Sequence, residues 1–397
     1  MWHRDAVGRP LRIGVAGAGF SGAVVARQLA DAGHTVVVHD PRDHVAGNCH
    51  TARHETGVLV HVYGPHLFHT TSSRVWTYVQ RFGRFRPYTH RVSATVHGSV
   101  YAMPINLGTI NQFFGTELTA DEARDFIADR AEPGDPATAV TFEERALRTV
   151  GRELYEAFFA GYTFKQWGIA PSELPASVFS RLPVRFDHDD RYFGHPYQGL
   201  PERGYTAVVE AMLDHPGIEL RLATPMAPEQ VAEFDHTFWT GPLDAFFAYR
   251  DGYLTYRTLD LVLAVADAAD ADDDRQACAV MNHCDVDVPY TRVTAHAHFA
   301  PWERHEAAVQ TTEFPRAHRP GDIEYYPVRL ADPAARTAAY LDAARSLSGV
   351  TFLGRLGTYR YLDMDVSIAE ALHTADVAIA AFATGGAPPA FVVDVSH

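Results

Sequence analysis

The segment between residues 11 and 40 constrains the fold of this chain more than any other. A short apolar stretch leads into the run GAGFSG from Gly17 to Gly22, a helical pattern follows as far as Gly33, and a second apolar stretch ends at Asp40. Strand, glycine-rich turn, helix and strand, with an acid after the second strand, form the βαβ fingerprint of dinucleotide binding. The helix N-terminus can bind a pyrophosphate, and the Asp40 carboxylate can accept hydrogen bonds from an adenosine ribose. The segment therefore predicts a Rossmann-like unit that binds a dinucleotide.

Composition narrows the class of the remaining chain. Its 397 residues are 47% hydrophobic and 21% charged, which predicts a globular protein of two or three domains. The net charge of -15 argues against a nucleic-acid partner, because phosphates would be repelled over most of the surface. No apolar run approaches the roughly 18 residues of a membrane span, and no signal peptide is recognisable before the first strand. We therefore expect a cytoplasmic protein without a membrane partner.

Neither a disulfide framework nor a metal site is predicted. Cys49, Cys278 and Cys284 have no CxxC spacing, so we expect them to be free thiols. His296 and His298 have the spacing of neighbours on one strand face, but no third ligand accompanies them. The expected metal content is therefore none.

Local patterns predict the elements that follow the fingerprint. Alternating residues around Gly98 indicate a β-hairpin, and apolar residues at helical spacing indicate helices over 121–127 and 142–164. Strand-like segments return at 184–186, 192–193, 218–222 and 236–239, and the region 247–330 alternates again like a sheet. Strands like those of the fingerprint recur near the C-terminus, so the dinucleotide domain is expected to be discontinuous in sequence.

This discontinuity also favours one dinucleotide over the other. In NAD dehydrogenases the fingerprint normally serves contiguous βα units, whereas this chain leaves after two strands and has no second glycine fingerprint. By analogy of fold, we expect FAD. The predicted fold class is α/β: a Rossmann-like FAD-binding domain from discontinuous segments, with a helical insertion domain and an antiparallel β-sheet domain. The segments are 1–80, 201–245 and 341–397 for the FAD-binding domain, 81–108, 181–200 and 246–340 for the sheet domain, and 109–180 for the helical domain with a mobile loop.

Aromatic and basic residues near turns suggest a site for a nucleotide. Rings stack on a base and tyrosine hydroxyls bond a sugar, although about half of these rings would be ordinary core. Guanidinium groups pair with phosphate oxygens, and spacing alone does not decide between two arginines and five. A bias toward arginine explains why Lys165 is the only lysine, and makes it a candidate position that needs an ammonium. The arginines are Arg181, Arg185, Arg292, Arg355 and Arg360.

Six motifs spread over almost the whole chain resemble the bacterial UDP-galactopyranose mutase family. The resemblance runs from about Ile13 to the C-terminus, and its most specific part is the run from Gly354 to Asp365. The matching runs are Gly17 to Gly22, His61 to His66, Lys165 to Gly168, Leu182 to Phe186, Val288 to Arg292 and Gly354 to Asp365.

The resemblance implies a non-redox flavoenzyme that interconverts a UDP-hexopyranose, first of all UDP-galactopyranose, and its furanose. In that family FAD is active when reduced by an external electron donor. Its N5 displaces UDP from the anomeric carbon, and the covalent flavin–sugar adduct opens and closes through another hydroxyl before UDP returns. The resemblance further implies a homodimer and a role in cell-wall or polysaccharide biosynthesis.

Position within the matching motifs implies a role for each site residue. The loop around Trp167 is predicted to act as a lid, since such an adduct must be shielded from water. The implied catalytic residues are Arg292, Arg181, His66, Tyr326, Tyr361 and Asp363. The implied substrate contacts are Phe158, Phe159, Tyr162, Thr163, Trp167, Tyr192, Asn282, Arg181 and Arg292. The implied cofactor contacts are Gly17, Gly19, Phe20, Ser21, Gly22, Asp40, Gly47, Asn48, Arg355, Tyr361, Asp363 and Met364.

Departures from the family pattern leave the sugar open. They are Ala46, Gly108, Arg191, Ala295 and Ala297, and two of them remove charges that the family usually carries. A pyranose/furanose mutase acting on a deoxy, amino or uronic analogue is the first alternative. A flavin oxidase shares the fingerprint and the discontinuous domain, and a silent sugar-nucleotide binder would keep the nucleotide contacts without turnover.

Overall fold

The computed structural model describes residues 9–179, 183–267, 276–329 and 334–395. Strands and helices are numbered along the chain. The strands are β1 (Arg12–Ala16), β2 (Thr35–His39), β3 (Thr51–Arg53), β4 (Leu59–His61), β5 (Phe68–Thr70), β6 (Phe85–Pro87), β7 (Val92–Val96), β8 (Ser99–Met103), β9 (Tyr197–Pro201), β10 (Ile218–Arg221), β11 (His236–Trp239), β12 (Tyr256–Asp267), β13 (Val280–His283), β14 (Arg292–Ala295), β15 (Ala307–Ala317), β16 (Tyr326–Pro327) and β17 (Val350–Phe352). The helices are α1 (Phe20–Asp31), α2 (Ser73–Val79), α3 (Leu107–Phe114), α4 (Ala120–Ala128), α5 (Phe142–Leu154), α6 (Gly161–Trp167), α7 (Ala176–Phe179), α8 (Gly204–Leu213), α9 (Leu243–Phe246), α10 (Ala334–Arg345), α11 (Gly354–Gly357) and α12 (Met364–Ala383).

A parallel sheet carries the fingerprint. Its strand order is β10-β2-β1-β11-β17, and every neighbouring pair is parallel. The strands come from three separated parts of the sequence, and α1 packs against α8 and α12. Near-continuous apolar strands such as β1 and β2 are typical of a sheet covered on both faces. The α/β class with a Rossmann-like, discontinuous domain is thus confirmed.

A second, mostly antiparallel sheet lies beyond the Rossmann-like domain. Its order is β16-β12-β15-β14-β13-β7-β8, and only β13 and β7 run parallel among its pairs of described residues. The hairpin of β7 and β8 turns at Gly98, where φ is +77°, as the alternating pattern predicts. The sheet brings β13 and β14 beside each other, and both strands contribute to the site described below.

Helices α3 to α7 form the predicted helical insertion. Thr119 and Glu122 form a capping box at α4, and Thr141 and Glu144 form one at α5. Such boxes satisfy two backbone N–H groups that the helix leaves free. The single helix predicted over 142–164 is divided in the structure. Residues Tyr155–Ala160 form a π-helical turn that separates α5 from α6.

Two local predictions are wrong, and the segment boundaries stay predictions. Residues 184–186 and 192–193 form no strand, because neither segment finds a neighbouring strand to pair with among the described residues. The strand near them is instead β9, which lies between β5 and β6 in a small antiparallel sheet of its own.

Among the described residues one helix, α12, reaches the length and apolar composition of a membrane span, contrary to the sequence expectation. The mean hydropathy of its most apolar stretch is 1.4. Ile368, Ala371, Leu372 and Ala375 are buried, and the helix packs against α1 and α2. A third of that stretch is buried, and a core helix can have the same length and apolar composition as a membrane span.

Buried histidines make the stability of the fold depend on pH. Burial lowers the pKa of each ring from 6.5, to about 4 for His66, His236 and His296, to about 3 for His90, and well below 6.5 for His61. The folded rings stay neutral where the unfolded chain is already protonated. The unfolded state therefore binds more protons between about pH 6.5 and pH 4, so the free energy of unfolding falls as the pH falls, by up to about 1.4 kcal/mol per pH unit for each ring.

We expect urea unfolding to show this loss between about pH 7 and pH 5. His236, whose ring hydrogen-bonds to Thr351 Oγ1, lies on a core strand away from the site, so His236→Gln should remove one ring's share of the slope. A free energy of unfolding that stays level over that interval would contradict the prediction.

Candidate active site

The turn between β1 and α1 forms a cradle that side chains would fill. Gly17 has φ +106°, a conformation that favours glycine, and a Cβ on Gly22 would lie 1.9 Å from the Gly17 carbonyl oxygen. A Cβ on Gly19 would point toward Gly47, whose Cα lies 3.9 Å away. The N-terminus of α1 therefore faces an open cleft between two glycines. This is the geometry that lets a backbone approach a pyrophosphate.

The acid at the end of β2 is fixed by backbone donors. The Asp40 carboxylate accepts hydrogen bonds from the Ala18 N–H at 2.7 Å and the Arg42 N–H at 2.9 Å. Arg42 lies over the Tyr63 ring and donates to Asn48 Oδ1 at 2.8 Å, while its buried Nη1 has no partner among the described residues. An orphaned guanidinium donor beside Asp40 and the glycine turn fits a cofactor that brings oxygen or nitrogen acceptors.

The residues around this cleft fit a dinucleotide. Phe20, Ser21, Asn48 and Met364 line it together with the glycines and Asp40, as expected. Gly354, with φ +76°, brings α11 against α1, since a Cβ there would lie 2.9 Å from Ser21 Oγ. Expected cofactor residues that line the cleft are Gly17, Gly19, Phe20, Ser21, Asp40, Gly47, Asn48, Arg355 and Met364.

His66 also lines this cleft and is held in one tautomer. Its Nδ1 lies 2.9 Å from the Gly64 carbonyl oxygen, so Nδ1 carries the proton and donates. Burial, assisted by Arg355 and Arg292, lowers the pKa of the ring to about 4. His66 is therefore a neutral ring whose Nε2 is an acceptor.

A larger cavity of about 710 Å³ lies beside the cofactor cleft. It opens between α6 and the sheet strands β13 and β14. Its lining combines nine aromatic side chains with three arginines, Arg292, Arg329 and Arg360. Expected site residues that line it are Phe158, Phe159, Tyr162, Thr163, Trp167, Tyr192, Asn282, Arg292, Tyr326 and Tyr361. The structure thus brings together the expected substrate contacts that it describes.

Arg292 places a positively charged guanidinium in this cavity, and two neighbouring side chains fix its orientation. Its Nη2 donates to the Tyr162 hydroxyl at 3.1 Å, and its Nη1 lies 3.5 Å from Glu313 Oε2. Burial raises the pKa of the Glu313 carboxyl, and the neighbouring guanidinium opposes that shift. Glu313 Oε1 has no partner among the described residues. The carboxyl orients the guanidinium from behind and leaves its remaining donors for a bound anion.

The cofactor cleft and the cavity meet at one wall. Leu362 lines both of them. The Arg355 guanidinium lies 4.9 Å from the centre of the Tyr361 ring, and Tyr361 stacks on Tyr326 with ring centres 5.8 Å apart. Arg355 lines the cleft and both tyrosines line the cavity, so these three side chains form part of the boundary between the two.

Among the described residues, two expected site residues, Asp363 and Gly22, line neither cavity. Arg181 falls outside the described residues. Asp363 is the N-cap residue of α12 and lines neither cavity, and Gly22 supports the turn from beneath through its contact with Gly17. Their assigned roles stay predictions.

The structure shows the environment of two departures from the family pattern, Arg191 and Ala46, and of the two histidines near Ala297. Arg191 is an exposed residue that pairs with Asp189 through two guanidinium nitrogens, as expected for a side chain that faces water. Ala46 has φ +76°, a left-handed conformation that costs an alanine free energy which glycine would not lose. His296 and His298 hydrogen-bond separately, to Thr311 and to the Gln276 carbonyl.

The sequence interpretation gave no role to several residues in or beside the two cavities. Glu313 is a carboxylate at a buried position of the alternating strand β15, and that anomaly was the available signal. Arg42 lies two residues after Asp40, the acid that follows β2, and lines the cofactor cleft. Gln166 lies inside a recognised motif and lines the cavity, and so does Arg360, which was one of the five candidate arginines.

Comparison with known proteins agrees with this geometry. A family model described as UDP-galactopyranose mutase matches residues 157–361, and one for an NAD(P)-binding Rossmann-like domain matches residues 15–82. A probable UDP-galactopyranose mutase of Klebsiella pneumoniae is 52% identical, covering 96% of this chain and 98% of that protein. A dTDP-fucopyranose mutase of Escherichia coli is 47% identical, covering 92% and 97%.

Solved structures show the same fold. A reduced UDP-galactopyranose mutase superposes with a TM-score of 0.69 at 14% identity, covering 92% of this chain and 95% of that one. A putrescine oxidase gives 0.56 at 12% identity, covering 94% and 99%. The Rossmann-like domain supports a dinucleotide cofactor. With two relatives matched over nearly their full length, the chain belongs to the UDP-galactopyranose mutase family of isomerases.

Proposed function

We propose that this enzyme interconverts UDP-galactopyranose and UDP-galactofuranose with reduced FAD held in the cleft of Gly17, Gly19 and Asp40. The observation that carries the proposal is the junction at Leu362, where an aromatic cavity containing a fixed guanidinium adjoins a dinucleotide cleft. The bound cofactor would supply the nucleophile for the anomeric carbon, through its reduced flavin ring. This chain's residues then bind, orient and shield the nucleotide sugar.

Arg292 would balance charge when the nucleoside diphosphate leaves. The departing group gains negative charge and must stay near the sugar, so a preorganised guanidinium lowers the energy of that arrangement. Glu313 and Tyr162 already fix the orientation of Arg292, so little reorganisation is needed. Tyr326 and Tyr361 lie in the same cavity and would donate hydroxyl hydrogens to the diphosphate.

The neutral ring of His66 would accept rather than donate at the cofactor. Its proton stays on Nδ1, which donates to the Gly64 carbonyl, so Nε2 offers a lone pair. A ring with a pKa of about 4 adds no positive charge to the cleft near neutral pH. Aromatic residues such as Phe158 and Trp167 exclude water from the adjoining cavity.

The proposal also specifies the sugar and the base of the substrate. The 52% identical relative is named a UDP-galactopyranose mutase and the 47% identical one a dTDP-fucopyranose mutase. A thymidine-linked 6-deoxy sugar is therefore the second candidate substrate. We further propose a homodimer in the cytoplasm, reduced by an external electron donor and serving cell-wall or polysaccharide biosynthesis.

The test is turnover of the FAD-loaded protein under nitrogen. Dithionite-reduced and oxidised samples are incubated with UDP-galactopyranose or with dTDP-fucopyranose, and the products are separated by anion-exchange chromatography. We expect a furanose peak from UDP-galactopyranose in the reduced sample only. The oxidised sample without dithionite, kept in air, should consume no oxygen when the sugar nucleotide is added. A peak from the thymidine sugar alone would move the assignment to that substrate, and oxygen uptake with each product would indicate an oxidase.

A further inference from the structure

Lys165, the only lysine in the chain, has an unusual environment that the proposed reaction does not use. Its ammonium lies within hydrogen-bonding distance of four backbone carbonyl oxygens, and it lines neither cavity. The distances from Nζ are 2.8 Å to His283, 2.7 Å to Asp285, 3.0 Å to Val288 and 3.0 Å to Tyr290. We call these four oxygens the carbonyl cage.

The carbonyl cage requires a cation. Four carbonyl dipoles that point at one spot repel one another, and a half-buried site offers them little water. An ammonium, with three N–H donors and a compact charge, satisfies them where a neutral side chain would not. Burial lowers the pKa of Lys165, while Asp285 and Asp287 favour its charged form. The turn that connects β13 to β14 therefore depends on a residue of α6.

Both partners of this contact carry site residues. Helix α6 carries Tyr162 and Trp167 into the cavity, and the turn connects Asn282 on β13 with Arg292 on β14. Helix and turn are in close contact, because a Cβ on Gly161 would lie 2.5 Å from the Cys284 carbonyl oxygen. The hydrogen bond from Arg292 to the Tyr162 hydroxyl spans the same boundary.

The C-terminus of α6 is anchored independently. Arg257 on β12 donates to the carbonyl oxygens of Lys165 at 2.9 Å and of Gln166 at 3.0 Å. Gly168 follows in a left-handed conformation, with φ +65°. Two cations thus fix α6 to the antiparallel sheet, and the chain turns away at Gly168.

We propose that Lys165 is a positioning residue whose ammonium locks α6 to the turn between β13 and β14, and thereby sets Tyr162 against Arg292. Trp167 belongs to this locked helix, so any lid motion of the site begins beyond Gly168. The consequence for nucleotide-sugar binding rests on the function proposed above, whereas the lock itself does not.

The first test uses the lysine as its own probe. Reductive methylation with formaldehyde and cyanoborohydride targets amines, so Lys165 and the N-terminal amine are the two reactive positions. We expect the N-terminus to be dimethylated while Lys165 in the native protein resists, and both to react after unfolding. Methylation of Lys165 at the rate of an exposed lysine would overturn the carbonyl cage, whichever substrate the enzyme uses.

The second test separates positioning from general stability. Lys165→Met removes the charge, and we expect faster hydrogen exchange in both 161–167 and 284–291, together with a rise of at least about tenfold in the Kd of UDP. Arg27→Met is the matched control, since this half-buried cation on α1 bonds Asp31 and the Ala211 carbonyl far from the site. It should lower the unfolding midpoint without changing the Kd of UDP.

Chemical rescue completes the test. In Lys165→Ala, propylammonium should restore slow exchange in both segments and lower the KM, whereas propanol and sodium chloride at equal ionic strength should not. Exchange in Lys165→Met that matches the wild type would overturn the lock. Faster exchange with an unchanged Kd would overturn its role in binding. Failure of the wild type to bind UDP would instead contradict the proposed substrate, and the methylation and exchange results would still decide on the lock.

Discussion

Arg292→Ala is expected to lower kcat/KM by about 10³-fold or more while the purified protein retains its flavin. Arg292 lines the larger cavity, and Glu313 and Tyr162 fix the orientation of its guanidinium from two sides. Its removal leaves the departing diphosphate without that charge. The flavin should stay bound because Arg292 lines the larger cavity and not the cofactor cleft. Turnover under reducing conditions and the flavin absorbance of the same sample measure the two effects.

The variant has a complication that a second variant removes. Arg292→Ala leaves the Glu313 carboxyl buried without its cation, which by itself destabilises the fold. The double variant Arg292→Ala with Glu313→Gln removes both charges. It should therefore be more stable than Arg292→Ala alone and remain inactive. Arg191→Ala is the matched control, since Arg191 is exposed, pairs with Asp189 and lines neither cavity. Near-normal turnover by the double variant would refute the role of Arg292.

Local chemistry explains which parts of the fold could be predicted. The glycine spacing from Gly17 to Gly22 is dictated by close backbone contacts that no side chain permits, so it identifies the Rossmann-like turn without any tertiary information. The hairpin at Gly98 and the strand His236–Trp239 are likewise local patterns. The family resemblance, and not local chemistry, assigned roles to the site residues that line the larger cavity.

Long-range pairing explains what could not be predicted. The parallel pairing of Val280 with Val92 joins residues far apart in sequence, and nothing in either strand specifies it. Residues 184–186 alternate like a strand, but they pair with no strand among the described residues. The nearby strand β9 is the one that pairs with β5 and β6. The sequence makes Lys165 a candidate position for an ammonium, but the four carbonyl oxygens around it, from a turn about 120 positions away, appear only in the folded chain.

Gly19→Val is expected to give a folded protein that has lost its flavin, with an affinity for FAD reduced by at least about a hundredfold. Gly19 has φ -75° and ψ -177°, an extended conformation that valine adopts without strain. The first added carbon would meet only ordinary contacts, with the Gly47 Cα 3.9 Å away. The valine methyl groups would then occupy the cleft in front of the first N–H groups of α1, where a pyrophosphate would bind. Flavin content after purification and titration of the apoprotein with FAD measure the effect.

Two further substitutions separate a filled cleft from a damaged fold. Gly22→Ala should disturb the fold itself, because its Cβ would lie 1.9 Å from a backbone carbonyl oxygen that cannot move aside. Gly386→Val, after α12, meets its nearest atom at 3.5 Å and should leave both folding and flavin content unchanged. If Gly19→Val unfolds as Gly22→Ala does, its loss of flavin says nothing specific about the cleft. If it folds with a wild-type unfolding midpoint and full flavin content, the pyrophosphate cannot lie against the turn at Gly19, and the placement of FAD is wrong.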